Sequence, residues 1–241
     1  MKAAVLGLGV MGPGIVATLA RGGIDVACYD IKPEQLAHAR AEMPTLLEAL
    51  ARYGAKLIMP KQGEIRYEAD LGGAVRAAEL VVEALPERVE IKHTMFAALD
   101  RLAPANAILA STTAAIPITR LQEACNNKGR VVGLNWTAPS HLAPVVEVIA
   151  GAHTDARTLA TARAIVANLG AQPVLVARDS VGSVQARLRS VLERESDALV
   201  ADGVIERTEL DRLLCWGIGL HLAAAGAEAR FVAIRKTIEG R

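Results

Sequence analysis

The run "KAAVLGLGVMGPGIVATLARGG", Lys2 to Gly23, constrains the fold more than any other part of the chain. An apolar strand passes through a glycine cluster straight into a helix, and that order belongs to a parallel βα unit. Within it "GLGVMG", Gly7 to Gly12, fits the pattern GxGxxG. Gly7 permits the tight turn, Gly9 lets the backbone approach a pyrophosphate, and Gly12 allows the helix to pack closely on the strand. The helix N-terminus supplies an anion site. Leu8, Val10 and Met11 complete the candidate cofactor-binding turn.

The second apolar run, "IDVACYD", ends at Asp30, about 20 residues beyond the glycines, where a carboxylate accepts hydrogen bonds from adenosine ribose hydroxyls. Such a carboxylate repels a 2′-phosphate. NAD(H) is therefore expected over NADP(H), with Lys32 beside it softening the preference. The competing reading is a structural turn with an incidental aspartate.

Apolar runs and helical stretches alternate along the next part of the chain. "KAAVLGLG", a helix to Arg21, "IDVACYD", a helix from Pro33 to about Tyr53 and "AELVVEAL" come first. They are followed by a helix over 90–101, "AILAST", a helix over 117–126, "RVVGLNW", "VVEVIA", a helix over 154–169 and "QPVLVA". This is an α/β pattern that predicts a doubly wound, mostly parallel sheet of the Rossmann type. "GAKLIMPKQGEIRYEAD" shows poor periodicity and reads as an excursion before a turn of helix at "LGGAV". Low aromatic content, 3%, and 52% hydrophobic residues suit parallel strands covered by helices.

From Asp179 onward no strand recurs. Val184, Leu188, Val191, Leu192 and Leu199 fall at helical spacing, Gly203 stops that helix, and "ERTELDRLLCWGIGL" starts another with Thr208 as candidate cap. The expected division is a dinucleotide-binding domain over 1–178 and a small all-helical domain over 179–241. The second is too small to bury its own core comfortably and is expected to dock on a second subunit as a homodimer.

A net charge of +1 with scattered Lys and Arg gives no footprint for nucleic acid or an anionic membrane. Cys28, Cys125 and Cys215 are widely separated without metal-ligand spacing, and read as reduced thiols in a cytoplasmic protein. No metal site is expected. The closing "IEGR" matches a protease recognition sequence, so either the natural end lies elsewhere or the match is coincidental.

The segments "GLGVMGPGI", "VVEALPERVEIKHTMFAALD", "ILASTTAAIPIT", "GLNWTAPSHLAPVVEVI" and "CWGIGLHLAAAGAE" together resemble the 3-hydroxyacyl-CoA dehydrogenase family, particularly its branch with lambda-crystallin and L-gulonate dehydrogenase. The resemblance implies NAD-dependent oxidation of a 3-hydroxyl to a ketone and a helical dimerisation domain, here shorter than the family's usual one. It places Glu87 and Lys92 near the nicotinamide ribose; as bare chemistry they equally suit solvated charges at a helix start. Glu147 falls where the family has the carboxylate that orients its catalytic histidine, and a glutamate inside "VVEVI" is costly to bury unless paired.

Other positions depart from the family. Asn135 stands where the resemblance puts the acid/base histidine, Ala114 replaces a substrate-binding serine, and Ala138 and Ala186 replace asparagines. Trp136 beside them is taken as a pocket residue. Histidine suits proton transfer near neutrality, an amide cannot supply the proton, and loss of a positioned acid/base slows a reaction by roughly 10²–10⁴. His141, midway in sequence between Asn135 and Glu147, is a candidate stand-in or a residue of the pocket rim. His38, His93, His153 and His221 receive no catalytic role. Three readings remain: a dehydrogenase of 3-hydroxy/3-oxo acyl or related small substrates; a reductase of imines or another non-CoA substrate, with Glu147 facing the cation; and a redox-inactive dinucleotide binder.

Overall fold

A computed structural model describes residues 1–53 and 61–219. The segment 54–60, His221, the end of "CWGIGLHLAAAGAE" and the closing "IEGR" lie outside the described residues. The chain divides into two compact units, Met1–Ala186 and Arg187–Arg241. The first is built on a single eight-stranded sheet in the order β3-β2-β1-β4-β5-β6-β7-β8. Its strands are β1 (Lys2–Leu6), β2 (Asp25–Tyr29), β3 (Ile65–Glu68), β4 (Leu80–Glu83), β5 (Ile108–Ser111), β6 (Val131–Trp136), β7 (Val145–Ala150) and β8 (Gln172–Val176). All neighbours pair in parallel except β6 with β7, so β7 and β8 run against the rest. The chain leaves β1 toward β2 and later returns to β4 on its other side. That reversal opens a crevice at the carboxyl ends of β1 and β4, the place where such sheets hold ligands.

Strand alternation feeds two cores. Val5, Val26, Val82 and Leu134 point to the face covered by α1 (Gly12–Arg21), α2 (Pro33–Tyr53) and α6 (Ala156–Asn168). Leu6, Ala27, Val81 and Leu109 point to the face covered by α3 (Leu71–Val75), α4 (Val89–Leu102) and α5 (Ile118–Gln122). A sheet covered on both faces needs near-continuous apolar strands, and β1, β4 and β5 have them.

Most elements fall where the sequence puts them. β3 is the exception: "IRYE" lies on the sheet's edge, only partly buried, so it carries no apolar run to signal a strand. The helix expected over 117–126 is shorter, because beyond Gln122 the amides of Glu123, Ala124 and Cys125 bond three residues back in tighter turns. The first compact unit runs on through Ala186. Segment 179–186 is laced to the first unit: Asp179 N–H to the Ala150 carbonyl at 3.2 Å, Gly182 N–H to Ala115 at 3.1 Å and Ser183 N–H to Ala114 at 2.7 Å.

The second unit carries most of α7 (Val184–Ala201), then α8 (Arg207–Arg212) and a π-helical stretch, Leu213–Gly219. Gly203, at φ +69°, ends α7 as expected, with its own N–H bonded to Val200 and the Val204 N–H to Leu199. Thr208 is not a cap. It lies inside α8, whose N-cap is Glu206. Leu188, Val191 and Leu192 form an exposed apolar stripe on α7.

All three cysteines are free thiols, with Cys28 and Cys125 buried and Cys215 exposed. Burial pushes the Cys28 thiol up to about 12 and, with help from Asp100, Cys125 to about 11.

Candidate active site

The glycine turn has the geometry its sequence promises. Gly7 sits at φ +91°, and a Cβ there would lie 2.7 Å from the Ala84 carbonyl oxygen at the end of β4. A Cβ on Gly12 would lie 2.0 Å from the Gly7 carbonyl oxygen, so only glycine lets α1 close on the turn. Gly9 has nothing within 4 Å, which is open space for a ligand. The N-cap of α1, Met11, makes no side-chain cap, so the first-turn N–H groups lack a side-chain partner and suit a phosphate. Leu8 offers the turn only its backbone, since its side chain is buried in the core. Asp30 accepts the Leu8 N–H at 2.7 Å on one oxygen and the Lys32 N–H at 2.9 Å on the other. Both bonds fix the carboxylate beside the turn and leave it lone pairs for hydroxyl donors. These residues fit a dinucleotide.

Beyond β4 and β5 lies a second cluster. Lys92 on α4 is fully enclosed, at 0% exposure, and its ammonium donates to Glu83 at 2.7 Å and to the Leu85 carbonyl at 3.1 Å. It is not a solvated charge; the chain wraps it because Glu83 offers an enclosed counter-charge. Glu87 differs. Its side chain is 39% exposed, 3.6 Å from the Lys92 ammonium, and accepts from the Thr113 hydroxyl and from the N–H groups of Ala115 at 3.0 Å and Ile116 at 3.2 Å. Glu83 and Ser111 are additions to the residues singled out from sequence.

The third cluster joins β6 and β7. Asn135 lies opposite Glu147 in the antiparallel register, between Leu134 and Trp136, which face the α1 side; its own side chain therefore faces the other. The Asn135 amide nitrogen donates to Glu147 at 2.8 Å, and the second Glu147 oxygen accepts the Gln185 N–H at 2.9 Å. Glu147 is 1% exposed and Asn135 5%, so the pair is buried, with both carboxylate oxygens accepting hydrogen bonds. The Thr137 hydroxyl donates to the Gln185 side chain. Trp136 is not a pocket residue: the strand's alternation turns it into the core, at 3% exposure.

The loop between β6 and β7 crosses back toward the glycine turn. It contains a cis Ala138–Pro139 bond, and the Ser140 hydroxyl donates to the Met11 carbonyl at 2.8 Å. His141 stands against α1, where a Cβ on Gly14 would come within 3.3 Å of its Nδ1. That contact ties His141 to the cofactor turn, whereas Glu147 takes its hydrogen bonds from Asn135 and Gln185. Ala114 is half-buried and meets Ser183 through the backbone, Ala186 is half-buried at the start of α7, and Ala138 is exposed on the loop. Among the described residues no group of three or more His, Cys, Asp or Glu side chains is placed to hold a metal. No described helix is long and apolar enough to cross a membrane.

Residues 2–180 match the model of the 3-hydroxyacyl-CoA dehydrogenase NAD-binding domain. The chain is 40% identical to a 5-formyl-3-hydroxy-2-methylpyridine 4-carboxylate 5-dehydrogenase of Mesorhizobium japonicum, over 94% of this chain and 73% of that protein. An L-carnitine dehydrogenase of the same organism is 34% identical, over 93% of this chain and 62% of that one. Among solved structures, the 5-formyl-3-hydroxy-2-methylpyridine 4-carboxylic acid 5-dehydrogenase described as an NAD+-dependent dismutase superposes with a TM-score of 0.92 at 38% identity, covering 99% of this chain and 79% of that one.

Proposed function

Because this chain belongs to the 3-hydroxyacyl-CoA dehydrogenase family, we propose that it is an NAD-dependent oxidoreductase of small hydroxyl or carbonyl substrates whose reaction half is organised by an amide, Asn135, in place of a titrating acid/base. NAD(H), when bound, supplies or accepts the hydride. The backbone of Gly7, Gly9, Met11 and Gly12 holds the pyrophosphate, Asp30 the adenosine ribose, and Glu87 the ribose on the nicotinamide side.

The observation that carries this reading is the buried Asn135–Glu147 pair. Glu147 fixes one N–H of the Asn135 amide, which leaves the other to donate to a substrate oxygen. Such a donor orients and polarises a carbonyl without delivering a proton, so water supplies it and acyl turnover is slow. NADH consumption with acetoacetyl-CoA, L-carnitine dehydrogenation, and turnover of 5-formyl-3-hydroxy-2-methylpyridine 4-carboxylate test it. Bound NADH that no member of the panel consumes would support the redox-inactive reading instead.

One observation favours imine reduction as a second reading: both donors to Glu147 are neutral amides, so its carboxyl has no ionic partner in this pair. A substrate that arrives as a protonated imine brings its own proton and meets a carboxyl able to face the cation. A cyclic imine belongs in the same panel, and Glu147→Gln lowers its turnover.

The exposed stripe Leu188, Val191 and Leu192 on α7 supports a homodimer, which sedimentation at increasing concentration tests. Three cysteines without a disulfide suit a reducing, cytoplasmic compartment.

A further inference from the structure

Behind the cofactor side of the crevice lies a buried acid that none of the roles above employs. Glu83 ends β4 with its side chain fully enclosed. One oxygen accepts the Lys92 ammonium at 2.7 Å and the Leu85 N–H at 2.6 Å, and the other accepts the Ser111 hydroxyl at 2.6 Å. Lys92 also lies 3.6 Å from a Glu87 oxygen. Two carboxylates thus compete for one ammonium, and the shorter contact gives it to Glu83. Glu87 is steadied by neutral donors, the Thr113 hydroxyl and two backbone N–H groups, with part of its carboxylate facing out.

We propose that Glu83 is a positioning residue for the cofactor: by holding the Lys92 ammonium it leaves the Glu87 carboxylate free to accept hydrogen bonds from the ribose on the nicotinamide side. This rests on the assignment of Glu87 to that ribose. Without Glu83, the enclosed ammonium has no better counter-charge than Glu87, and an ammonium kept from water attracts a nearby carboxylate more than one at the surface does. The carboxylate turns inward and its acceptor strength is spent on lysine. Loss then falls on one end of the dinucleotide only. The adenosine end is held by Asp30 and the glycine turn, which share none of these hydrogen bonds.

The test titrates Glu83→Gln with NADH and, separately, with AMP, which carries only the adenosine half. Glutamine keeps the shape and an oxygen for Ser111. The expected result is an NADH Kd raised about tenfold, the worth of a hydrogen bond to a charged group, with the AMP Kd within about twofold. Adding Lys92→Met removes the stranded ammonium and restores NADH affinity to within about threefold of the parent, a rescue that a merely structural role does not produce. Equal weakening for both ligands, or for neither, overturns the proposal, as does absence of rescue. Glu87→Gln run alongside separates the two assignments. If it leaves NADH affinity unchanged, the ribose role of Glu87 fails and takes the proposal with it; if it weakens NADH while Glu83→Gln does not, only the role of Glu83 falls. Should Glu83→Gln fail to fold, the double variant decides alone: NADH affinity near the parent's supports the proposal, and NADH weakened more than AMP overturns it.

Discussion

The two halves of the crevice are built by different means. On the β1–β2 side the ligand-facing surface is mostly backbone: a turn that glycine alone can make, the uncapped start of α1, and one aspartate fixed by two N–H groups. On the β6–β7 side the surface is made of side chains, and those can be exchanged while the frame stays. Both Glu147 oxygens accept hydrogen bonds, from the Asn135 amide and the Gln185 N–H, so the buried carboxyl finds partners without a histidine. In the proposed reading, cofactor binding follows from chain geometry, whereas proton transfer depends on single residue identities, one of which is an amide.

The largest effect comes from forcing a side chain into the glycine turn. Gly12→Ala puts a Cβ where the Gly7 carbonyl oxygen already lies at 2.0 Å. It lowers NADH affinity by about 100-fold, in keeping with the 1–3 kcal/mol that overpacking costs, and lowers the melting temperature too. Gly9→Ala separates ligand contact from packing, because nothing lies within 4 Å of its Cβ: melting is unchanged while NADH affinity drops about tenfold. Equal behaviour of the two variants in melting and titration would break the account of the turn.

Glu147→Ala acts on the other half. It strands the Asn135 amide nitrogen and the Gln185 N–H, each a buried donor worth about 1–3 kcal/mol when left unpaired. Melting falls by on the order of 5–10 °C, while NADH affinity stays within about twofold. Loss of NADH binding in step with stability would mean the halves are not independent. Asp30→Ala has a narrower effect: NADH binds about tenfold more weakly, NADPH changes less, and the ratio of the two constants reads the difference.

The smallest effect is in thiol chemistry. Thiolate is the reactive form, and burial raises Cys28 and Cys125 far above neutrality, so near pH 8 their thiols stay protonated. Peptide mapping after native alkylation should find Cys215 modified and the other two intact. Labelling of Cys28, which lies in β2 close before Asp30, would break the view of a tightly packed cofactor half.

How much was legible follows the same division. Glycines with special backbone requirements and apolar runs with helices between them leave clear marks, so the sheet, the turn and Asp30 are readable from the chain. β3 is not, since an edge strand of mixed polarity has no periodic signal. Trp136 misleads because adjacency in sequence suggests a shared pocket, yet alternation along a strand sends Asn135 and Trp136 to opposite faces. Glu83 had the signal that marked Glu147: a glutamate inside an apolar run, "VVEAL", must find a partner when buried. Lys92 is the partner, and only the fold brings it there from α4.

Turnover of acetoacetyl-CoA with NADH, compared between the parent protein and Asn135→His, decides whether the amide at position 135 is what limits the chemistry. The expected result is a gain of roughly 10²–10⁴ in rate for the histidine variant, with NADH affinity unchanged, because Glu147 lies opposite position 135 and already accepts a hydrogen bond from its side chain. Equal rates in the two proteins, at a level well above background, would contradict it and show that the missing proton comes from elsewhere in the crevice.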